Sequence, residues 1–190
     1  SSVIDVDGNF TLSGGTFRAS SATTTLGANF TVSGGTFHHN NGALEFDSGT
    51  SAEINVNTSL TVAKLMINKG TDATYMDVAA NDTVTVTGTL YLTNGYMGSS
   101  GGTLTNDSCS VNHNAGFDGG DYGTLINITG GSGTITMPES AIIPALTLNA
   151  ANCTLSLSGT ATTTFDSQLT LTSGTILAND AAVDIDGNAG

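Results

Sequence analysis

The chain has 190 residues, only 10% of them charged, and a net charge of −13, with Arg18, Lys64 and Lys69 its only Lys or Arg residues. That balance excludes a nucleic-acid partner, which needs clustered cations to neutralise phosphates, and it opposes binding to an anionic membrane surface. No run of about 18 apolar residues is present, so no membrane insertion is expected, and Val, Ile, Leu and Phe alternating with Thr exclude a disordered chain.

Helical periodicity is missing throughout, and period two takes its place. Ile4/Val6 opens the chain and Asp5-Val6-Asp7-Gly8-Asn9 follows at once. Next comes Asn9-Phe10-Thr11-Leu12-Ser13-Gly14-Gly15-Thr16-Phe17, which returns almost unchanged as Asn29-Phe30-Thr31-Val32-Ser33-Gly34-Gly35-Thr36-Phe37. Each copy reads as two short strands joined by a glycine corner. Leu44/Phe46 and Ile54/Val56 continue the alternation, weaker copies begin at Ser59 and Thr89, and a late one runs from Gln168 to Ile176.

From Asp107 to Gly123 the alternation breaks, leaving a loop expected to project from the regular part and holding His113, Asp118, Asp121 and Tyr122. Loops on rigid scaffolds often carry function. Pro138 and Pro144 mark a second irregularity. Beyond it, Leu146/Leu148, Leu155/Leu157 and Val183/Ile185 restore period two, and the chain closes on Asp184-Ile185-Asp186-Gly187-Asn188, a match to its opening. About two dozen strands of three to five residues are expected, separated by Asn-Gly, Asp-Gly and Gly-Gly turns.

So many short strands fit a sandwich or a stacked solenoid. Like segments recurring at 20 and then 30 residues favour stacking, because a sandwich gives consecutive segments no reason to resemble each other. The expected fold is all-β: a single domain over 1–190, a right-handed parallel β-helix of roughly eight coils, three strands to a coil. Phe10, Phe30, Leu60 and Leu90 are expected to form one internal ladder, Thr11, Thr31 and Thr61 an external one, and Asn9, Asn29 and Asn57 an amide ladder along one corner.

The copies at Phe10–Phe17, Phe30–Phe37, Leu60–Gly70, Val84–Gly95 and Leu169–Leu177 resemble the repeats of secreted parallel β-helix proteins, common in bacterial and archaeal surface proteins and adhesins. The resemblance covers about two thirds of the chain and leaves 107–145 outside it. It implies an extracellular rod with a mostly non-catalytic role.

Several residues invite chemistry. Asp5/Asp7 and Asp184/Asp186 each present paired carboxylates at a turn, which suits Ca²⁺, although an Asp-Gly turn alone accounts for them. His113, Asp118, Asp121 and Tyr122 are the candidate binding residues of the loop. His38-His39 point to opposite faces of a strand and chelate poorly together. Thr-x-Thr pairs such as Thr83/Thr85 and Thr134/Thr136 sit at uneven spacing, so β-propensity explains them better than an ordered array. Asn-x-Ser/Thr sequons begin at Asn9, Asn29, Asn57, Asn81, Asn106, Asn127 and Asn152. Cys109 and Cys153 read either as one disulfide clipping neighbouring coils or as two small core residues.

The leading expectation is an extracellular structural protein, a fibre subunit or a stalk segment of a longer surface protein, that joins its neighbours by end-to-end β-stacking. No enzyme is expected, since the basic residues are scattered and no Trp is present to stack a sugar. The alternatives are an adhesive or glycan-binding module and a polysaccharide-active enzyme.

Overall fold

In the computed structural model, residues 2–70, 74–98, 100–114, 116–118 and 125–186 are described. They form twenty-one strands and no helix. Every strand pairing is parallel, and the strands stack as a β-solenoid of about eight turns.

Alternation is what makes each rung. In Thr83–Val86 the two valines are fully buried and the two threonines half-buried, so one face of the strand enters the core and the other meets solvent. Thr on the outer face suits a pleated sheet, because its branched Cβ packs against its neighbours above and below.

Three columns of strands enclose the core. The first runs Ile4–Val6, Thr23–Leu26, Ala43–Phe46, Lys64–Asn68, the start of Leu90–Met97, and Val111–His113. The second runs through the start of Phe10–Arg18, the start of Phe30–His38, Ala52–Val56, Tyr75–Val78, the end of Leu90–Met97, and Phe117–Asp118. The third runs Ser59–Val62, Thr83–Val86, Thr103–Asn106, Leu125–Ile128 and the starts of Leu146–Leu157 and Leu169–Leu177. In the later rungs Ser132–Met137 packs over Val111–His113, and Ile142–Ile143 over Phe117–Asp118.

The registers correct the expected ladders. Phe10 pairs with Phe30, but Ile54 follows them, not Leu60. Leu60 heads another inner column with Val84, Leu104, Ile126, Leu146 and Leu169. Leu90 lies in a third, between Leu65 and Val111. The reason is rung length. Register partners along the first column are 20, 20, 21, 25 and 21 residues apart (Ile4, Thr24, Leu44, Leu65, Leu90, Val111). A 30-residue step therefore goes once around and then on to the next face.

The threonines are corrected in the opposite direction. Thr61, Thr85, Thr105, Asn127, Thr147 and Thr170 form one outer column, and Ser59, Thr83 and Thr103 stand beside its lower part. Loops of different length bring Thr61, Thr85, Thr105, Thr147 and Thr170 into register, whereas Thr134 and Thr136 stand on another face, paired with Thr154 and Ser156. Thr11 and Thr31 belong to another face, where Asn55 follows them.

The amide ladder forms in part. The Asn29 N–H donates to Asn9 Oδ1 (3.1 Å) and the Glu53 N–H to Asn29 Oδ1 (2.9 Å). Asn57 takes no place in it, because Glu53 occupies the equivalent corner.

The glycine corner of the opening repeat is needed for two reasons. Gly35 has φ 79°, a left-handed conformation that side chains disfavour, and a Cβ there would meet the Gly15 carbonyl oxygen at 2.5 Å. The corner thus lets two rungs close on each other. Inside it Phe10, Phe17, Phe30 and Phe37 pack as stacked and edge-on pairs with centroids 4.8–6.1 Å apart.

Candidate functional site

The four end carboxylates lie apart. Ile4–Val6 pairs with Thr23–Leu26 alone, and Ala182–Ile185 with Thr162–Phe165 alone, so both are terminal strands of their sheets. Asp5 and Asp7 are exposed at one end of the rod, Asp184 and Asp186 at the other. Among the described residues, no three His, Cys, Asp or Glu side chains gather as a metal-binding group.

The stretch from 107 to 123 carries rung strands at its centre. Val111–His113 and Phe117–Asp118 both pair with Leu90–Met97. His113 continues the inner column Val6, Leu26, Phe46, Ile67, Leu92, so its ring is turned inward and buried. Its Nε2 bonds the Ile142 carbonyl at 3.0 Å, its ring meets Phe117 edge-on, and Nδ1 has no hydrogen-bond partner among the described residues. Burial pushes the imidazole below its usual range, and the backbone at Ile142 and Asn114 opposes this more weakly. Asp118 lies in a rung strand, while Asp121 and Tyr122 fall outside the described residues.

A disulfide joins Cys109 to Cys153, with Cα atoms 5.7 Å apart. Gly133 is the register partner of Cys153. Close by, a Cβ on Gly131 would meet the Ser108 backbone at 2.2 Å, so glycine lets the Cys109 corner come in. Asn106 anchors the same corner from inside. Its fully buried amide donates to the carbonyls of Gly88 (2.8 Å) and Ser110 (3.2 Å) and accepts the Ser110 N–H (3.0 Å). The sequon at Asn106 is therefore closed to modification in the folded chain.

Lys69 is fully buried. Its Nζ donates to Ser48 Oγ at 3.3 Å and stands 6.0 Å from the Phe46 ring centroid. Burial lowers its pKa, and Asp47 acts against that shift.

The most site-like feature is a break in the third column. The end of Phe30–His38 pairs with the end of Phe10–Arg18 on one side. On the other side, where Ser59–Val62 should follow, no ladder forms among the described residues, and Ser59–Val62 is the terminal strand of its own sheet. Between the two edges lies a cleft of about 640 Å³, lined among others by Arg18, Phe37, His38, His39, Asn57 and Thr61. This volume is within the range of ligand sites, about 300–1,000 Å³. Phe37 and Leu60 line the cleft from its two edges.

Both edges offer main-chain groups. The Thr58 and Val62 carbonyls accept from Thr83 and Thr87, so by alternation the N–H and C=O of Ser59 and Thr61 are directed the other way, to the cleft. The His38 carbonyl accepts from Ala19, which directs the Phe37 backbone to the cleft in turn. Thr58 forms the corner at φ 85°, an uncommon conformation for a β-branched residue.

The cleft also gathers one guanidinium and two imidazoles. Arg18 and His38 are register partners, and His39 adjoins them. His39 Nδ1 accepts the Asn41 N–H (3.0 Å), which leaves Nε2 as the donor of the neutral ring. No Asp or Glu lines the cleft. Of the other basic and imidazole side chains, Lys69 and His113 are buried and Lys64 stands on another face. The sequence signal for this site was the shared position of Arg18 and His38 at the ends of two near-identical copies. Compared with known proteins, the chain matches no protein family, no curated protein and no solved structure.

Proposed function

We propose that the chain is a structural rod segment of an extracellular fibre or surface protein, joined to its neighbours by β-stacking at the end rungs. One observation carries this reading. Leu171, Val183 and Ile185 are 51%, 41% and 50% exposed, whereas their partners one rung below, Leu148, Thr163 and Phe165, are fully buried. These are core positions that no rung covers among the described residues. At the opposite end Val3 is exposed, and Ile4 and Val6 are half-buried. Covering an apolar side chain of this size contributes about 1.5–3 kcal/mol when burial is complete, so these positions favour a continuing rung.

The disulfide supports an oxidising, extracellular setting. An acidic surface rich in Thr and Asn supports solubility there. Head-to-tail contact of identical rods is heterologous and extends into filaments. Ile4–Val6 stands in the first column and Ala182–Ile185 in the second. A stacked copy turned by one face would therefore bring Asp5 and Asp7 to Asp184 and Asp186, and Ca²⁺ is expected to promote that contact.

Light scattering over a concentration series tests the reading. Mass should rise with concentration and with Ca²⁺, and V183D with I185D should hold the chain monomeric. A monomer at every concentration would remove end-to-end self-assembly.

A further inference from the structure

We propose that the cleft between Thr36–His38 and Ser59–Val62 binds an extended, acidic peptide segment of a partner protein. Three observations converge on that ligand. The two bordering strand edges have no ladder partner across the gap among the described residues, and their main-chain groups alternate in the way an added strand requires. The walls carry Arg18, His38 and His39 and no carboxylate, in a chain whose net charge is −13. Phe37 and Leu60 supply an apolar floor for one face of an alternating peptide.

The chemistry divides between these parts. Ser59, Thr61 and Phe37 bond the peptide backbone and fix its register. Arg18 offers a fork of N–H donors that matches a carboxylate, and His38 and His39 add donors beside it. A basic peptide would find no partner for its charge, and a neutral one would leave Arg18 without an anion. The rest of the acidic surface repels the ligand, so this is where an acidic segment gains most.

The test uses the whole chain and a fluorescein-labelled peptide of alternating Val and Asp, with alternating Val and Asn as its control. Polarisation should report binding of the acidic peptide below about 1 mM and weakening with added salt. R18Q should weaken it about tenfold or more, as expected for a lost charge-assisted hydrogen bond. T61P, which removes one cleft-facing N–H while leaving the pairing with Thr83–Val86 intact, should weaken it as well; far-ultraviolet circular dichroism checks that both variants keep the fold. Equal binding of the two peptides, or an R18Q chain that binds as well as the parent, would overturn the proposal. Binding of an oligogalacturonate in place of the peptide would overturn it in favour of an acidic glycan. Self-association abolished by R18Q would overturn it in favour of a second copy of this chain.

Discussion

Removing the Cys109–Cys153 link should cost the chain a large part of its stability. The cysteines are 44 residues apart in sequence, and closing a loop of that size in the unfolded chain corresponds to about 4 kcal/mol in the chain-entropy account. For a chain of this length, 1 kcal/mol moves the melting temperature by about 2–4 °C, so a loss of about 8–16 °C is expected. The assay is thermal and urea unfolding of the parent chain with and without reductant, beside C109A/C153A, whose melt should ignore reductant. The size of the effect depends on how unfolding propagates. Each rung contacts mainly its neighbours, so a solenoid can open in parts, and the link acts fully only if residues 109 to 153 unfold together. Coincident melts of oxidised and reduced parent would show that the link adds no stability.

Other substitutions probe other levels. G35A should destabilise by about 2–4 kcal/mol, combining a left-handed backbone with contact against the Gly15 carbonyl. G15A has a similar φ of 74° but open space around its Cβ, and should cost about half as much or less by urea titration. N106A should cost about 2–4 kcal/mol, since it strands the Gly88 and Ser110 backbone groups inside the rod. Because the folded His113 holds its proton less tightly than the unfolded one, the unfolded chain takes up the extra proton as pH falls. Stability from this group is complete above about pH 6.5 and declines as pH drops through the folded value. Melting temperatures at pH 7.5 and 5.5 should therefore differ more for the parent than for H113L.

Much of the architecture was legible in the residues. Period two in Thr83–Val86 and its relatives dictates which side of each strand is buried, and the near-identity of the first two copies dictates that they stack. What was not legible is which face each later copy occupies. Phe30, Leu60 and Leu90 look equivalent in sequence, but the turn is shorter than the step between them, and loop lengths set the difference. The same loops hid the register of Thr61, Thr85 and Thr105. His113 stood out among polar neighbours, yet its column neighbours in space, Ile67 and Leu92, place it in the core. The cleft was hidden for another reason. It arises where two strands fail to pair, and sequence alternation carries no sign of that. The pairing of Arg18 with His38 was visible as a shared position in two copies, while the meaning of that position needed the missing ladder beside it.

At the end rungs Leu171, Val183 and Ile185 are exposed core positions that another rung is proposed to cover. Negative-stain electron microscopy of the purified chain at high concentration tests this stacking most directly. One solenoid of about eight turns spans about 40 Å at the usual strand spacing. Rods at multiples of that length are expected, merging into filaments in Ca²⁺ and reverting to single rods in V183D with I185D. Single short rods under every condition, identical for parent and variant, would contradict end-to-end stacking.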